Sequence, residues 1–392
     1  MKEKTSYLQG KFKGKRIIRH SDKVLPEALR PLVLRMYQLA EDLIGKTMIA
    51  SVEDKSVSIS FYIIDHSAPE AYACKDRQEK DYVVIMTSSF LSGMHKIFFE
   101  ASKTLEFWRL DPRDKTRTIF VDVLPPGLFP LIFSPNRKSL YVESWGNLAP
   151  KSSAEIYANK AFFLFFEFVM GHELGHICNG HVDWFGKNAH IGRINEIKGS
   201  SLIDNSISRA LEYDADCFSG KLGLFRTIDL HFDDTDRRVW ESFVCLNSIP
   251  NAFAVQIRAR QYAISLFFML QEEFEKRVKQ ENSSHPPSIF RHMNLIRYGD
   301  MYIRKTARNT LPELFDLLAS WRHEETSFCG FSDAETAFLS IVGRQSNRSG
   351  YFRILGQEGG KILDEILGSY SQIYNDLNQL KLGGTLAPPR DS

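Results

Sequence analysis

The sequence predicts an α+β fold, mainly helical, with a small mixed sheet on the N-terminal side of one long central helix and a helical C-terminal region. Three observations predict it. From Pro26 to Gly45 the apolar residues Leu29, Leu32, Val33, Met36, Leu39, Ala40, Leu43 and Ile44 recur at the spacing of one helix face. The period then changes, and Met48 to Val52, Val57 to Ile64 and Tyr82 to Met86 carry the β-branched and aromatic residues of strands. Finally, Phe162 to Met170 is an almost unbroken apolar stretch, which reads as a helix with neighbours on nearly every side.

In chain order, residues 1–25 read as a solvated basic arm. The helix after Pro26 is expected to stop at Gly45, and the stretch Ser67 to Asp81 reads as a loop between strands. A helix is expected from about Ser89. Residues 105–150 are broken by Pro125, Pro126, Pro130 and Pro135 and read as an insertion of loops and short strands. Ser152 and Ser153 can cap the central helix, which should run to Asn179 or Gly180. Residues 183–204 read as a polar connection, followed by helices from about 204 to 224, 236 to 247, 253 to 280 and 287 to 304. This divides the chain into an arm, a main domain over 26–304, a helical region over 305–382 and a disordered tail over 383–392.

Composition narrows the function. With 392 residues, 43% hydrophobic and 25% charged, the chain can bury a large core. The 50 basic residues nearly balance the 48 acidic ones, so nothing global points to nucleic acid. Five cysteines without a CxxC pair suggest free thiols in a reducing compartment. No apolar run reaches the roughly 18–20 residues needed to cross a bilayer, and the N-terminus has no signal-peptide core. The expectation is a cytoplasmic protein without a transmembrane segment.

The apolar stretch leads into His172-Glu173-Leu174-Gly175-His176, an HExxH pattern. Residues four apart share a helix face, so His172 and His176 can offer ring nitrogens to one Zn²⁺. Glu173, one residue off that line, is placed to act as a general base on a water in an open coordination position. Gly175 suggests that another backbone approaches closely. A catalytic zinc takes a third protein ligand. A histidine at 182 following a glycine at 179 would supply it, but the chain has Asn179 and Val182, and His181 comes one place early and is assigned no role. The segment from Ser208 to Gly220 offers Glu212 and Asp216 four apart, beside the small Ala210 and Ala215. Such an acidic run is commonly a solvated face; here Glu212 reads as the ligand and Asp216 as the acceptor that orients a ligand imidazole.

These residues resemble the HtpX and CAAX-prenyl-protease family of gluzincin metallopeptidases, with HExxH on one helix and ExxxD, here Glu212 to Asp216, on the next. Ser283-Ser284-His285-Pro286-Pro287 with Arg291 resembles the family's S-T-H-P-P…R segment. Glu70-Ala71-Tyr72-Ala73 and the strand after it resemble the family's N-A-F-A stretch and edge strand, with Glu70 in place of asparagine. Residues 105–150 and the last 90 have no counterpart in the family, and its membrane helices are missing. A weaker resemblance, through the zinc motif alone, is to soluble phage-exclusion proteases of the Lit type.

The resemblance implies a zincin-like (gluzincin) core and one Zn²⁺ per chain, with His285 as oxyanion donor and Arg291 holding His285 or Asp216. It also implies an extended protein or peptide substrate pairing with the strand Tyr82, Val83, Val84, Ile85 and Met86. The expected function is zinc-dependent endopeptidase. Alternatives are a non-catalytic zincin-fold binding or scaffold protein, and a toxin or defence protease with one cellular target. Residues 105–150 or 305–392 would then engage a regulatory partner.

Overall fold

The computed structural model describes residues 15–23, 25–51, 57–75, 81–104, 153–188, 193–195, 205–232, 238, 240–241, 252–277, 286–296, 323–343 and 356–389. These form β1 (Ile17–Ile18), α1 (Arg30–Ser51), β2 (Ser58–Ile64), β3 (Ala71–Lys75), β4 (Asp81–Thr87), α2 (Ser88–Thr104), α3 (Ser153–Cys178), α4 (His181–Asn188) and β5 (Arg193–Asn195). They continue as α5 (Asn205–Phe232), α6 (Ala252–Arg277), a helix α7 over 288–296, α8 (His323–Val342) and α9 (Gln357–Leu380). The fold is α+β and mostly helical, as expected. The proposed 105–150 insertion lies outside the described residues.

α3 is central because no side of it is polar enough to face water. Phe162, Phe165, Phe166, Phe168 and Met170 are all buried, and α1, α2, α5 and α6 pack around it. Burying each such side chain is worth about 1.5–3 kcal/mol. By length and composition, Glu155–Cys178 is apolar enough to cross a membrane, contrary to the expectation from unbroken apolar runs; 94% of its most apolar window is buried inside the fold. Polar residues interrupt the run, and packing rather than lipid covers it here.

The sheet has the order β1-β2-β4-β3-β5. β2 runs parallel to β4, pairing Phe61 with Val84, while β3 folds back antiparallel on the far side of β4, pairing Ala73 with Val84. Alternation then splits β4 between two faces: Tyr82, Val84 and Met86 enter the main core, and Val83 and Ile85 join a small cluster with Ile64, Tyr72 and Cys74.

Several expectations need correcting. The basic arm is not wholly solvated: Ile17 and Ile18 pair with Ile64 and Ile63, and the Tyr37 hydroxyl bridges the two strands, donating to Ile18 O and accepting from Ile63 N–H. α1 does not stop at Gly45 but runs on to Ser51, through the predicted strand at Met48. Gly45 costs only about 1 kcal/mol, and Leu43, Ile44, Thr47 and Met48 pack on either side of it. The supposed loop from Ser67 contains β3, whose Ala71 to Cys74 are fully buried. The supposed connection 183–204 contains α4 and β5.

Among the described residues beyond 305, the helices α8 and α9 pack on the main domain, and residues 383–389 of the expected tail lie against it. α8 packs on α6 and α2, α9 packs on α5 and α4, and Leu386 and Ala387 are buried in the main core. Within the expected disordered tail, the backbone amides of Gly384 and Ala387 donate to Cys178 O of α3 and to the Asp214 carboxylate of α5.

Candidate metal centre

α3 and α5 approach closely because both carry small residues every fourth position where they cross. A Cβ on Gly171 would meet Ser219 Oγ at 2.9 Å, and one on Gly175 would meet Ala215 Cα at 3.1 Å. Ser219 also donates to Phe168 O at 2.6 Å. This contact, foreshadowed by Gly175 and Ala215 in the sequence, slides Glu212 and Asp216 alongside His172 and His176.

Three donor residues converge there. The Nε2 atoms of His172 and His176 stand 2.9 Å apart, Glu212 Oε2 lies 3.2 Å from the first and Glu212 Oε1 3.4 Å from the second. A metal bonded to nitrogen and oxygen at about 2.0–2.2 Å in a tetrahedral arrangement separates its ligand atoms by about 3.4 Å. The two Glu212 distances are close to this, the 2.9 Å between the Nε2 atoms is shorter, and this buried His-His-Glu group could hold a metal ion.

The hydrogen-bond network supports the same conclusion. Asp216 Oδ1 lies 2.9 Å from His172 Nδ1, so that nitrogen carries the proton and Nε2 presents its lone pair. On the other side, His181 Nε2 lies 2.9 Å from Asp214 Oδ2 and His181 Nδ1 lies 2.9 Å from His176 Nδ1. A carboxylate requires the proton on His181 Nε2, which leaves His181 Nδ1 to accept from His176 Nδ1–H. His176 Nε2 is then also a lone pair. Two lone pairs and a carboxylate facing one point are repulsive until a cation joins them.

Burial shapes the electrostatics. His172, Glu173, His176 and Glu212 are 1%, 0%, 0% and 4% exposed. Burial pushes His176 down to about 4, against the opposing pull of Glu212, so the ring stays neutral and able to ligate. Burial alone would raise Asp216, but the Arg291 guanidinium, hydrogen-bonded to both its oxygens, together with His172 holds it below the ordinary carboxylate value.

Of the residues singled out in the sequence, His172, His176, Glu212, Asp216 and Arg291 are brought together, and Glu173, next to His172 in the chain, is fully buried. Arg291 grips Asp216, and its Nη2 also lies 3.5 Å from Glu212 Oε2. His285 lies outside the described residues. The strand assignment needs correction: β4 is not an edge strand but is hydrogen-bonded to β2 and β3 on its two sides, so Tyr82, Val83, Val84, Ile85 and Met86 have no ladder left to offer a peptide. Its side chains are also committed, with the Tyr82 hydroxyl donating to Asp183 at 2.5 Å. The donor residues His172, His176 and Glu212 are all buried.

Two residues were missed. His181 turns back onto His176 because Gly180, at φ +81°, ends α3 and lets α4 start at once. Asp214 sits between the two carboxylates that were noticed. A histidine five places after His176 and a third acid in EYDAD were the available signals. No family model, curated protein or solved structure matches this chain.

Proposed function

We propose that this protein is a zinc-dependent endopeptidase with a zincin-like core. The observation that carries the reading is the convergence of His172 Nε2, His176 Nε2 and a Glu212 oxygen within 4.8 Å of one another, with Glu173 next in sequence to His172. Imidazole with one carboxylate is a donor set suited to zinc. Bound there, one Zn²⁺ per chain would supply Lewis-acid polarisation of a carbonyl and lower the pKa of a water to about 7.

The protein's own residues do the rest. Glu173 takes the proton of the attacking water and hands it to the leaving amine. Asp216 and His181 hold the two ligand rings in the tautomers that leave Nε2 free. Arg291 fixes Asp216 and places positive charge 3.5 Å from Glu212, limiting the repulsion among carboxylates. A polypeptide as substrate follows from the resemblance to the gluzincin peptidases.

One observation favours a second reading, a non-catalytic protein that keeps the metal and the fold for binding. Glu173 is fully buried, so a substrate reaches it only after whatever covers it has moved.

The deciding experiment compares wild type with Glu173→Gln and Glu212→Ala, measuring bound zinc and new peptide termini in a mixed proteome. The peptidase reading expects one zinc and new termini from wild type, zinc without cleavage from Glu173→Gln, and loss of both from Glu212→Ala. Zinc-loaded wild type that cleaves nothing leaves the binding reading standing, and near-normal cleavage by Glu173→Gln removes the assigned base.

A further inference from the structure

The carboxylate of Asp214 is buried and accepts from four donors. Oδ2 takes Asn179 Nδ2 at 2.6 Å and His181 Nε2 at 2.9 Å. Oδ1 takes the Tyr370 hydroxyl at 2.7 Å and the backbone N–H of Ala387 at 2.5 Å. Four donors fill about the whole acceptor capacity of a carboxylate. Two of them come from the C-terminal segment, over 150 positions away in sequence.

That segment is fitted to the end of α3 in other ways. Cys178 O, a terminal carbonyl of the metal-bearing helix, accepts from Leu382 N–H at 2.8 Å and from Gly384 N–H at 3.2 Å. Helix ends need such partners, and here the chain beyond α9 provides them. Gly384 has no room for a side chain, since a Cβ would stand 2.6 Å from Cys178 C and 2.0 Å from Asn179 Oδ1. Gly180 is equally tight, because a Cβ there would meet Leu380 at 2.8 Å. Lys221 of α5 holds Thr385 from the other side, Nζ to Oγ1 at 3.1 Å.

We propose that this C-terminal strap is a built-in part of the metal centre: Tyr370 and the Ala387 amide are positioning groups that hold Asp214, and through it His181 and the ring of ligand His176. The proposal rests on His172, His176 and Glu212 being a metal site. The path from Tyr370 hydroxyl to His176 has three hydrogen bonds, each with its donor and acceptor fixed by the next. With Asp214 held, His181 keeps its proton on Nε2 and His176 Nε2 points at the metal. With the strap displaced, Asp214 loses two of four donors, and the imidazole pair is free to turn or exchange tautomer. Because coupling between two binding events is reciprocal, metal binding tightens the strap as much as the strap tightens metal binding.

The test uses the full chain, with zinc affinity read by competition with a chromophoric chelator. Outer partners of ligand histidines contribute about 10–100-fold to metal affinity. Asp214→Asn, which puts an amide against four donors, is expected near the top of that range, and Tyr370→Phe, which removes one hydroxyl and keeps the ring, near about 10-fold. In both variants the visible spectrum of the cobalt-substituted protein should shift, which a purely structural loss at α9 would not produce. Reciprocally, hydrogen exchange at Leu382, Gly384 and Ala387 should be faster in zinc-free wild type than in the loaded protein.

Wild type that binds no zinc overturns the metal site and this proposal together. Wild type that binds zinc, while Tyr370→Phe keeps its affinity within about twofold and its cobalt spectrum unchanged, overturns the strap's role alone. Should Asp214→Asn fail to fold, Tyr370→Phe and the exchange experiment decide.

Discussion

Arg291 holds Asp216 with two nitrogens, Nε to Oδ2 and Nη2 to Oδ1, both at 2.8 Å. Both side chains are buried, and the guanidinium also lies 5.1 Å from the centre of the Phe268 ring. α7 is therefore tied to α5, and through Asp216 to His172 on α3. Losing one partner of a buried pair leaves an uncompensated charge.

Arg291→Met is accordingly expected to destabilise the fold by about 3–5 kcal/mol and to weaken zinc binding by about 10–100-fold. Denaturant unfolding and chelator competition measure the two effects. An unchanged midpoint would show that the pair contributes nothing net.

The crossing of α3 and α5 gives a second prediction. A Cβ on Gly175 would lie 3.1 Å from both Ala215 Cα and Phe218 Cβ, and the extra methyls of valine have nowhere to go without pushing α5 away. Gly175→Val should cost about 1–3 kcal/mol and reduce zinc occupancy, because Glu212 and Asp216 recede from the histidines. Gly186→Ala on α4 is the control: its Cβ meets nothing within 4 Å, and it should stabilise by about 0.5–1 kcal/mol. Thermal unfolding with metal analysis tests both, and full zinc occupancy in Gly175→Val would remove the close crossing as a requirement.

Two buried histidines away from the metal centre predict acid sensitivity. Burial pushes His292 down to about 3, and pushes His95 down to about 4 against the opposing effect of the hydrogen bond that His95 Nε2 donates to Asn159 Oδ1. His292 sits between the Ser265 hydroxyl, at 2.7 Å, and the stacked ring of Phe331, and both histidines are buried. A base whose folded value is depressed stabilises the fold fully above its unfolded value near 6.5. That stability is lost as pH falls toward the folded value, because the unfolded chain takes up the proton first. Between about pH 6 and 4, unfolding free energy should drop by about 1.4 kcal/mol per pH unit for each imidazole. Denaturant titrations at several pH values should show this slope, and His292→Gln should flatten it; a slope unchanged in the variant would assign the acid sensitivity elsewhere.

Much of this was legible in the residues. The spacing of His172 and His176 put two imidazoles on one helix face because the helical period is local and fixed. The apolar run from Phe162 to Met170 announced a central helix for the same reason. Glu212 and Asp216 were read from their spacing beside small residues and Arg291 from the resemblance, and α3, α5 and α7 bring them together with the histidines.

Other features depended on distant packing. Gly45 ends a helix only where nothing on either side holds it, and here Leu43, Thr47 and Met48 do. β3 carries too few residues to show a period, and became a strand because β4 and β5 supply its hydrogen bonds. That same pairing made β4 an interior strand, which no property of Tyr82 to Met86 distinguishes from an edge. His181, Asp214 and the strap stayed hidden because their meaning lies in contacts such as Tyr370 with Asp214, 156 positions apart. Local sequence determined which side chains could bind a metal and on which helix face they stand. Tertiary structure alone decided that His181, Asp214 and the C-terminal strap help hold them still, since a hydrogen bond between remote residues leaves no periodicity in the chain.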